Sequence, residues 1–404
     1  MLNALLLAVA LPVSLEGTWR GTVGVATLEI QFQVGEERST ATIRNLENPW
    51  NNPQTVAVAA KDGVYEFTLA RTAIRINEEG GELRSVVDPP VRLTRASDLP
   101  PIAQIPFSVS TSEGRLAGVM IRPQGSAGVP VALMVPGRGG GRRMNLGMGI
   151  EFARRGMAFV SMDEPGTGES EGSLAQDSHA KKIARYTAVV DALLKRDDID
   201  PKRIGLVSNS AGGWTSPAIC VSRPVAFWIG LVSPSESVIA QQRSSFQMLL
   251  DAVQPPLSSE EMKEAQGFVN AMLDVVAGRR TKEDVEALRK SLEGKRFAEA
   301  AEVPKAVFED NLSWIGRFSY DPAPDLAKSK AKTLIVLGGA DPVVPHESNA
   351  KLYREILGSR VEVVVAPGVG HGLAGPFEGR VRLSPEARSA VERFVDSVVK
   401  GVGD

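Results

Sequence analysis

The chain has one cysteine, Cys220, among 404 residues. A single thiol builds no internal disulfide framework and no multi-cysteine metal site. Cys220 falls in an apolar stretch read as a helix, where a buried, inert thiol is expected. Histidine is nearly as scarce, with three (His179, His346 and His371) and no H-E-x-x-H pairing. That spacing is what sets two imidazoles on one helical face, so zinc hydrolysis has little support and no metal or organic cofactor is expected. Charge of one sign is missing too, since 46 Lys and Arg stand against 48 Asp and Glu. A net charge of −2 has no pull toward nucleic acid or anionic membranes. Nothing in the composition fixes an oligomeric state. The apolar opening, residues 1–10, is too short to span a bilayer. Its Ala8-Val9-Ala10 fits the small-x-small cleavage pattern of a secretory signal peptide, although no Lys or Arg precedes the apolar run. Export is therefore the expectation for residues 1–14, with no integral membrane segment in the mature chain. A cytoplasmic protein whose first residues form a buried strand or a tail is the alternative.

At 404 residues the chain is long enough for two or three domains. Over residues 15–95 the pattern has a period of two. Leu28, Ile30, Phe32 and Val34 share one face while Glu29, Gln31 and Gln33 share the other. Similar runs at 40–43, 55–59, 64–69, 73–76 and 91–94 are separated by turns such as Lys61-Asp62-Gly63 and Glu78-Glu79-Gly80-Gly81. Short strands with tight turns predict an antiparallel barrel or sandwich. The opening Gly17-Thr18-Trp19 resembles the G-x-W start of lipocalin-like barrels, which implies a possible ligand carrier. A filled accessory module beside a catalytic domain is the preferred reading. Residues 96–106, with Pro100, Pro101 and Pro106, read as a stiff irregular connector.

Beyond the connector, runs at 107–110 and 116–122 look like an antiparallel pair. Val131-Ala132-Leu133-Met134-Val135 is continuously apolar, as expected of a strand buried on both faces. Further strands at 157–162, 203–207, 225–232, 333–337 and 361–365 alternate with helical stretches, including one opened by His179 and a last one from Pro385 to about Lys400. That alternation predicts a largely parallel sheet with right-handed crossovers over residues 107–232 and 331–404. Residues 233–330 interrupt it with helices. Ser258-Ser259-Glu260-Glu261 is a capping-box start, followed by an apolar face of Met262, Ala265, Phe268, Val269, Met272 and Val276 and a stop at Gly278. Thr281 starts another helix.

The chemistry concentrates at three strand ends. After Arg203-Ile204-Gly205-Leu206-Val207 the chain breaks at Ser208-Asn209-Ser210-Ala211-Gly212 and resumes in small residues suited to a helix start. A strand that turns sharply into a helix holds its turn residue exposed and strained, with only small neighbours fitting around it. Ser210 is thus a candidate nucleophile, with Ser208 in the first glycine position of the G-x-S-x-G elbow. Asp341 follows the strand at 333–337 in Gly338-Gly339-Ala340-Asp341-Pro342, with Glu347 as the fallback acid. His371 follows the strand at 361–365 in Pro367-Gly368-Val369-Gly370-His371-Gly372, whereas His179 and His346 open helices.

In these motifs and their order, Ser then Asp then His, the chain resembles the α/β-hydrolase superfamily from about Ile105 onward. The resemblance implies an α/β-hydrolase fold with Ser210, His371 and Asp341 as a catalytic triad and residues 233–330 as a helical cap. It also implies an oxyanion hole from the N–H groups of Ala211 and Arg138, the latter because Pro136-Gly137 stands where related esterases have His-Gly. Asp163-Glu164-Pro165-Gly166-Thr167-Gly168-Glu169-Ser170-Glu171-Gly172 is similar to a D-x-x-G-x-G-x-S-x-G loop of the superfamily, with Asp163 and Glu164 expected to structure it. Trp314-Ile315-Gly316-Arg317-Phe318-Ser319-Tyr320-Asp321-Pro322 resembles a subgroup of bacterial hydrolases, mostly described as esterases, that have N-terminal β modules and helical caps. Phe246, Met248, Trp314 and Phe318 are aromatic or thioether candidates for an acyl pocket, but such residues at helical spacing are more often core. A small-molecule carboxylic ester is the expected substrate. A thioester or peptide bond is the alternative within hydrolases, and a ligand-binding protein with an inactive hydrolase domain is the alternative outside them.

Overall fold

Alternation of apolar and polar residues gives each early strand one face to bury, and eight such strands bury theirs by closing on one another. The computed structural model describes residues 15–401 apart from 36–37, 138–140, 142, 175–176, 278, 302–319 and 378. The leader, Arg138, Gly278, Trp314 and Phe318 therefore lie outside the described residues. Strands β1 (Gly17–Val23), β2 (Ala26–Gln33), β3 (Ser39–Asn45), β4 (Gln54–Lys61), β5 (Val64–Leu69), β6 (Thr72–Glu79), β7 (Glu82–Ser85) and β8 (Val91–Arg95) form a closed antiparallel barrel in chain order. The first strand pairs back onto β8, which settles barrel against sandwich. Trp19, Ile30, Phe32, Phe67, Ile76, Leu83 and Leu93 fill the interior. The Trp19 indole N–H donates to Leu15 O at 3.0 Å. Each such side chain taken from water stabilises the fold by about 1.5–3 kcal/mol.

The second unit begins with β9 (Ile102–Thr111) and β10 (Gly114–Pro123). Next come β11 (Val129–Val135), α1 (Leu146–Arg154), β12 (Ala158–Met162), α2 (His179–Leu193), β13 (Ile199–Asn209), α3 (Gly212–Ser222) and β14 (Phe227–Leu231). The insertion carries α4 (Val238–Asp251), α5 (Ser259–Val276), α6 (Lys282–Ser291) and α7 (Ala298–Ala301). The sheet then resumes through α8 (Ala323–Lys328), β15 (Lys332–Gly338), α9 (His346–Leu357) and β16 (Val361–Ala366). A small hairpin of β17 (Ala374–Phe377) and β18 (Arg380–Leu383) precedes α10 (Pro385–Lys400). The sheet has eight strands in the order β16-β15-β14-β13-β11-β12-β10-β9. Strands β11 to β16 pair in parallel, and β10 runs antiparallel to both β12 and β9.

Both faces of the sheet are covered at its centre, so β11, β12 and β14 are buried along their whole length, whereas the edge strand β9 alternates buried and exposed residues. Within β11, Val131, Leu133 and Val135 join one core while Ala132 and Met134 join the other. The expectation of an irregular connector over 96–106 is corrected, because β9 starts at Ile102 and includes Pro106 opposite Val119. Pro106 is tolerated there because β9 is an edge strand, where a missing N–H removes no ladder bond on its open side. The capping box of α5 is complete, with Ser258 and Glu261 each accepting from the other's backbone N–H. Of the apolar face read for that helix, Ala265, Phe268, Val269 and Met272 are buried, in a core within the insertion that also takes Phe246. Met248, by contrast, is exposed. Among the described residues no helix is long and apolar enough to cross a membrane.

The barrel is fastened to the second unit through its outer face. Glu29, which alternation places on that polar face, is buried and paired with Arg20 at 2.7 Å, Arg44 at 2.8 Å and Arg154 of α1 at 2.8 Å. Burial works to raise its carboxyl pKa, but hydrogen bonds and charge from Arg154 and Arg44 outweigh it and hold the group at about 2.

Candidate active site

Strands β13, β15 and β16 run parallel, so the segments leaving them emerge at one edge of the sheet, as expected for ligand sites in such folds. Between β13 and α3 the backbone turns at Ser210, whose φ of 47° is in the left-handed region that side chains avoid. The turn is held by Ser210 N–H donating to Leu231 O at 3.0 Å and Gly213 N–H donating to Ser210 O at 2.8 Å. Small neighbours are obligatory here. A Cβ on Gly212 would lie 2.2 Å from Val135 O, and one on Gly213 would lie 2.5 Å from Ser233 Cβ. Ser208, in the position usually given to glycine, is fully buried. Its hydroxyl accepts from the Trp228 indole N–H at 2.8 Å and lies 3.1 Å from Ser233 Oγ. The extra oxygen is therefore satisfied by β14 and the segment after it.

Asp341 follows β15, with its side chain closed off from solvent. Its Oδ1 accepts from the backbone N–H groups of Val343 at 2.8 Å and Val344 at 3.1 Å. Its Oδ2 is 2.8 Å from His371 Nδ1, and His371 Nε2 is 2.9 Å from Ser210 Oγ. A carboxylate only accepts, so Nδ1 donates to it and Nε2 is left as the acceptor for the serine hydroxyl. The imidazole is partly open to solvent at 32 % while the acid is not. That is the arrangement needed if the ring, and not the acid, is to meet a ligand.

The structure thus brings Ser210, His371 and Asp341 together, and it is Asp341 rather than Glu347 that holds the imidazole. Glu347 and His346 sit in the first turn of α9. His179 is buried, with Nε2 3.2 Å from Trp214 O and its ring 4.3 Å from that of Tyr320, a packing role between helices. Asp163 organises its loop by accepting from the backbone N–H groups of Arg143 at 2.9 Å and Glu169 at 3.0 Å. Burial pushes the Cys220 thiol up to about 12, which keeps it a neutral thiol. Among the described residues no group of three His, Cys, Asp or Glu side chains is placed to hold a metal ion.

Two residues beside the elbow escaped sequence reasoning. Asn209 Oδ1 accepts from Gly137 N–H at 2.7 Å, and a Cβ on Gly137 would lie 2.9 Å from Ser210 Cβ. That bond ties the turn after β11 to the elbow. Beneath the turn, the buried Lys182 ammonium donates to Pro136 O at 2.8 Å and Gly137 O at 3.4 Å, with Glu164 at 3.5 Å. The elbow motif itself marks the position of Asn209, whereas nothing local marks Lys182 as an interior cation. Ala211 caps the start of α3.

A cavity of about 410 Å³ lies against His371 and Asn209, and part of its wall comes from the barrel. Residues 46–53, between β3 and β4, bring Asn48, Trp50, Asn51 and Asn52 to it. The Asn52 carboxamide donates to Arg143 O at 2.7 Å and accepts from Leu146 N–H at 2.9 Å. Trp50 packs with Met148 and Phe152 in the core beneath the sheet. The barrel is therefore more than a neighbour of the second unit.

The sequence pattern of the alpha/beta hydrolase family matches residues 132–383. The chain belongs to that family. It is 23 % identical over 250 residues to an uncharacterised 31.7 kDa Escherichia coli protein from the traX-finO intergenic region, covering 60 % of this chain and 82 % of that one. A shorter stretch of 97 residues is 32 % identical to the mitochondrial palmitoyl-protein thioesterase ABHD10 of Rattus norvegicus, covering 23 % of this chain and 31 % of that one. Among solved structures, carboxyl esterase 2 of the mycorrhizal fungus Tuber melanosporum is similar over 79 % of this chain and 89 % of its own, at 18 % identity and a TM-score of 0.45.

Proposed function

We propose that this alpha/beta hydrolase cleaves carboxylic esters through an acyl-enzyme on Ser210. Ser210 Oγ attacks the ester carbonyl as His371 Nε2 takes its proton, and Asp341 holds the ring in the required tautomer and stabilises its charged form. The tetrahedral oxyanion is held by the backbone N–H of Ala211 and, in this reading, that of Arg138. His371 passes its proton to the departing alkoxide, leaving an acyl-serine. Water then attacks the acyl carbon while His371 takes its proton, and collapse returns the proton to Ser210 with release of the acid. The observation that carries this reading is the unbroken chain from Asp341 through His371 to a serine at φ 47°, with distances of 2.8 and 2.9 Å.

Thioesters are the second reading, because the shorter match is to a protein named as a thioesterase. The two separate on acyl-matched oxygen esters and thioesters. A filled barrel interior counts against the alternative of a ligand held inside it. Export of the chain is part of the proposal and rests on Ala8-Val9-Ala10.

The deciding experiment is intact-mass spectrometry after addition of a fluorophosphonate. One adduct is expected on the wild type and none on Ser210→Ala, whose ester turnover should fall by about 10⁴-fold or more with its thermal melt preserved. An unlabelled, folded wild type would contradict the reading.

A further inference from the structure

The group that protonates a leaving alcohol must touch that alcohol's oxygen. His371 and Asn209, the residue before Ser210, both line the 410 Å³ cavity, which puts it beside the group that would protonate the alcohol. The volume is within the range of small-molecule sites. We propose that this cavity is the alcohol subsite and that it selects neutral, polyhydroxylated alcohols, so the favoured substrates are esters of sugars or similar polyols. The proposal rests on the serine-hydrolase reading of Ser210.

The wall chemistry supports that choice of class. Five asparagines line the cavity: Asn48, Asn51 and Asn52 from the barrel loop, Asn145 ahead of α1, and Asn209 beside the nucleophile. A carboxamide donates and accepts, as a hydroxyl does, whereas a carboxylate or phosphate calls for Arg or Lys and an ammonium calls for Asp or Glu. Among the described residues no such charged side chain lines the cavity. Asn48 Oδ1 is buried and has no hydrogen-bond partner among the described residues. A buried acceptor left unpaired is unfavourable, and because this one is closed off from solvent, the Asn48 carboxamide must turn toward the cavity for a substrate hydroxyl to pair it. Asn145 occupies the N-cap position of α1 yet makes no side-chain cap bond, leaving its carboxamide for the cavity it lines. Asn209 spends its oxygen on Gly137, which leaves its two N–H donors. Trp50 and Leu373 supply apolar surface for the C–H faces of a ring.

The loop is also fixed in place before any ligand binds. Asn52 bonds at both ends of its carboxamide to 143–146, and Glu47 O accepts from Leu383 N–H at 2.9 Å. Gly147 lets the loop sit directly on α1, since a Cβ there would lie 2.1 Å from Asn51 O and 2.2 Å from Pro49 O. Polar groups held rigidly in this way lose little freedom on binding.

The test compares methyl 6-O-acetyl-α-D-glucopyranoside with cyclohexylmethyl acetate on the full chain. The two share the acetyl group and a ring-borne primary alcohol, and differ in the ring oxygen and its hydroxyl and methoxyl substituents. The wild type is expected to favour the glucoside by about tenfold or more in kcat/KM, and Asn48→Leu to cut that ratio about tenfold. The ratio, not either rate, is the readout. Equal or reversed preference in the wild type, or an unchanged ratio in folded Asn48→Leu, would overturn the subsite. Should Asn48→Leu not fold, competition on the wild type decides instead. Methyl α-D-glucopyranoside is expected to inhibit p-nitrophenyl acetate hydrolysis more strongly than cyclohexylmethanol, and the opposite order overturns the proposal. Fluorophosphonate labelling of the same samples separates the two levels. Labelled protein without sugar preference defeats the subsite alone, while unlabelled protein defeats the serine-hydrolase reading and the subsite with it.

Discussion

The molecule contains two eight-stranded β structures that solve opposite problems. The barrel turns one face of every strand inward and packs Trp19, Phe32, Phe67 and their neighbours there as a buried core. The open sheet buries both faces under helices and keeps its working groups at the carboxyl edge, where Ser210, Asp341 and His371 meet. In the barrel, cohesion and function are separated, because its interior stabilises it while an outer loop reaches the site. In the sheet they adjoin, since the strand carrying Val207 in its core also carries Ser210 past its end. A closed interior does not make a domain passive.

Three substitutions sharpen or break that contrast. Under the proposed chemistry Asp341→Asn should reduce ester turnover by about 10⁴-fold through loss of the correct His371 tautomer. Its urea midpoint should move far less than its rate, as steady-state kinetics beside equilibrium unfolding would show. A matching loss of both would mean that the edge is structural. Phe32→Ala, which removes one ring of a 6.0 Å edge-to-face pair with Phe67, should cost about 3–5 kcal/mol of barrel stability. Equilibrium unfolding in urea, with Trp19 as the sole tryptophan after the other four are replaced by Phe in both proteins, reads that change. A loss of under about 1 kcal/mol would reveal slack in the interior, as in a ligand carrier. Glu29→Gln should cost about 3 kcal/mol, because it leaves Arg154 and Arg44 facing a neutral group. The Glu29 carboxyl is depressed from 4.5 to about 2, so its contribution is present above pH 4.5 and fades as the pH falls toward 2. Thermal melts of wild type across that window should drop more than those of the variant. Parallel curves would mean that the docked face contributes little.

Much of this was legible in the sequence because burial on both faces writes itself as an unbroken apolar run, as in Val131-Ala132-Leu133-Met134-Val135. The elbow, the acid turn and the histidine loop were legible because each follows such a run and each needs small or turn-forming residues. What escaped depends on contacts between distant segments. Glu29 alternates correctly for a solvated face, and nothing near it announces that α1, more than a hundred residues on, covers it. Pro106 argues against a strand until its edge position is known. Residues 46–53 read as a polar turn between strands, and only the placement of 143–147 against them turns Asn48 and Asn52 into parts of a pocket. Lys182 looks like any helical lysine until the carbonyls of Pro136 and Gly137 are found over it.

The loop of residues 46–53 also bears on how the protein divides. Its natural seam is between β8 and β9, and cutting there is the obvious way to obtain a minimal catalytic fragment. Such a fragment would lose Trp50 from among Met148 and Phe152, together with three of the five asparagines of the cavity. It would be a hydrolase with a breached wall and a greasy scar, different in selectivity and solubility from its parent and not simply shorter. Under the proposed alcohol subsite, any lineage that exchanged its N-terminal barrel for another would have exchanged part of its pocket wall at the same stroke.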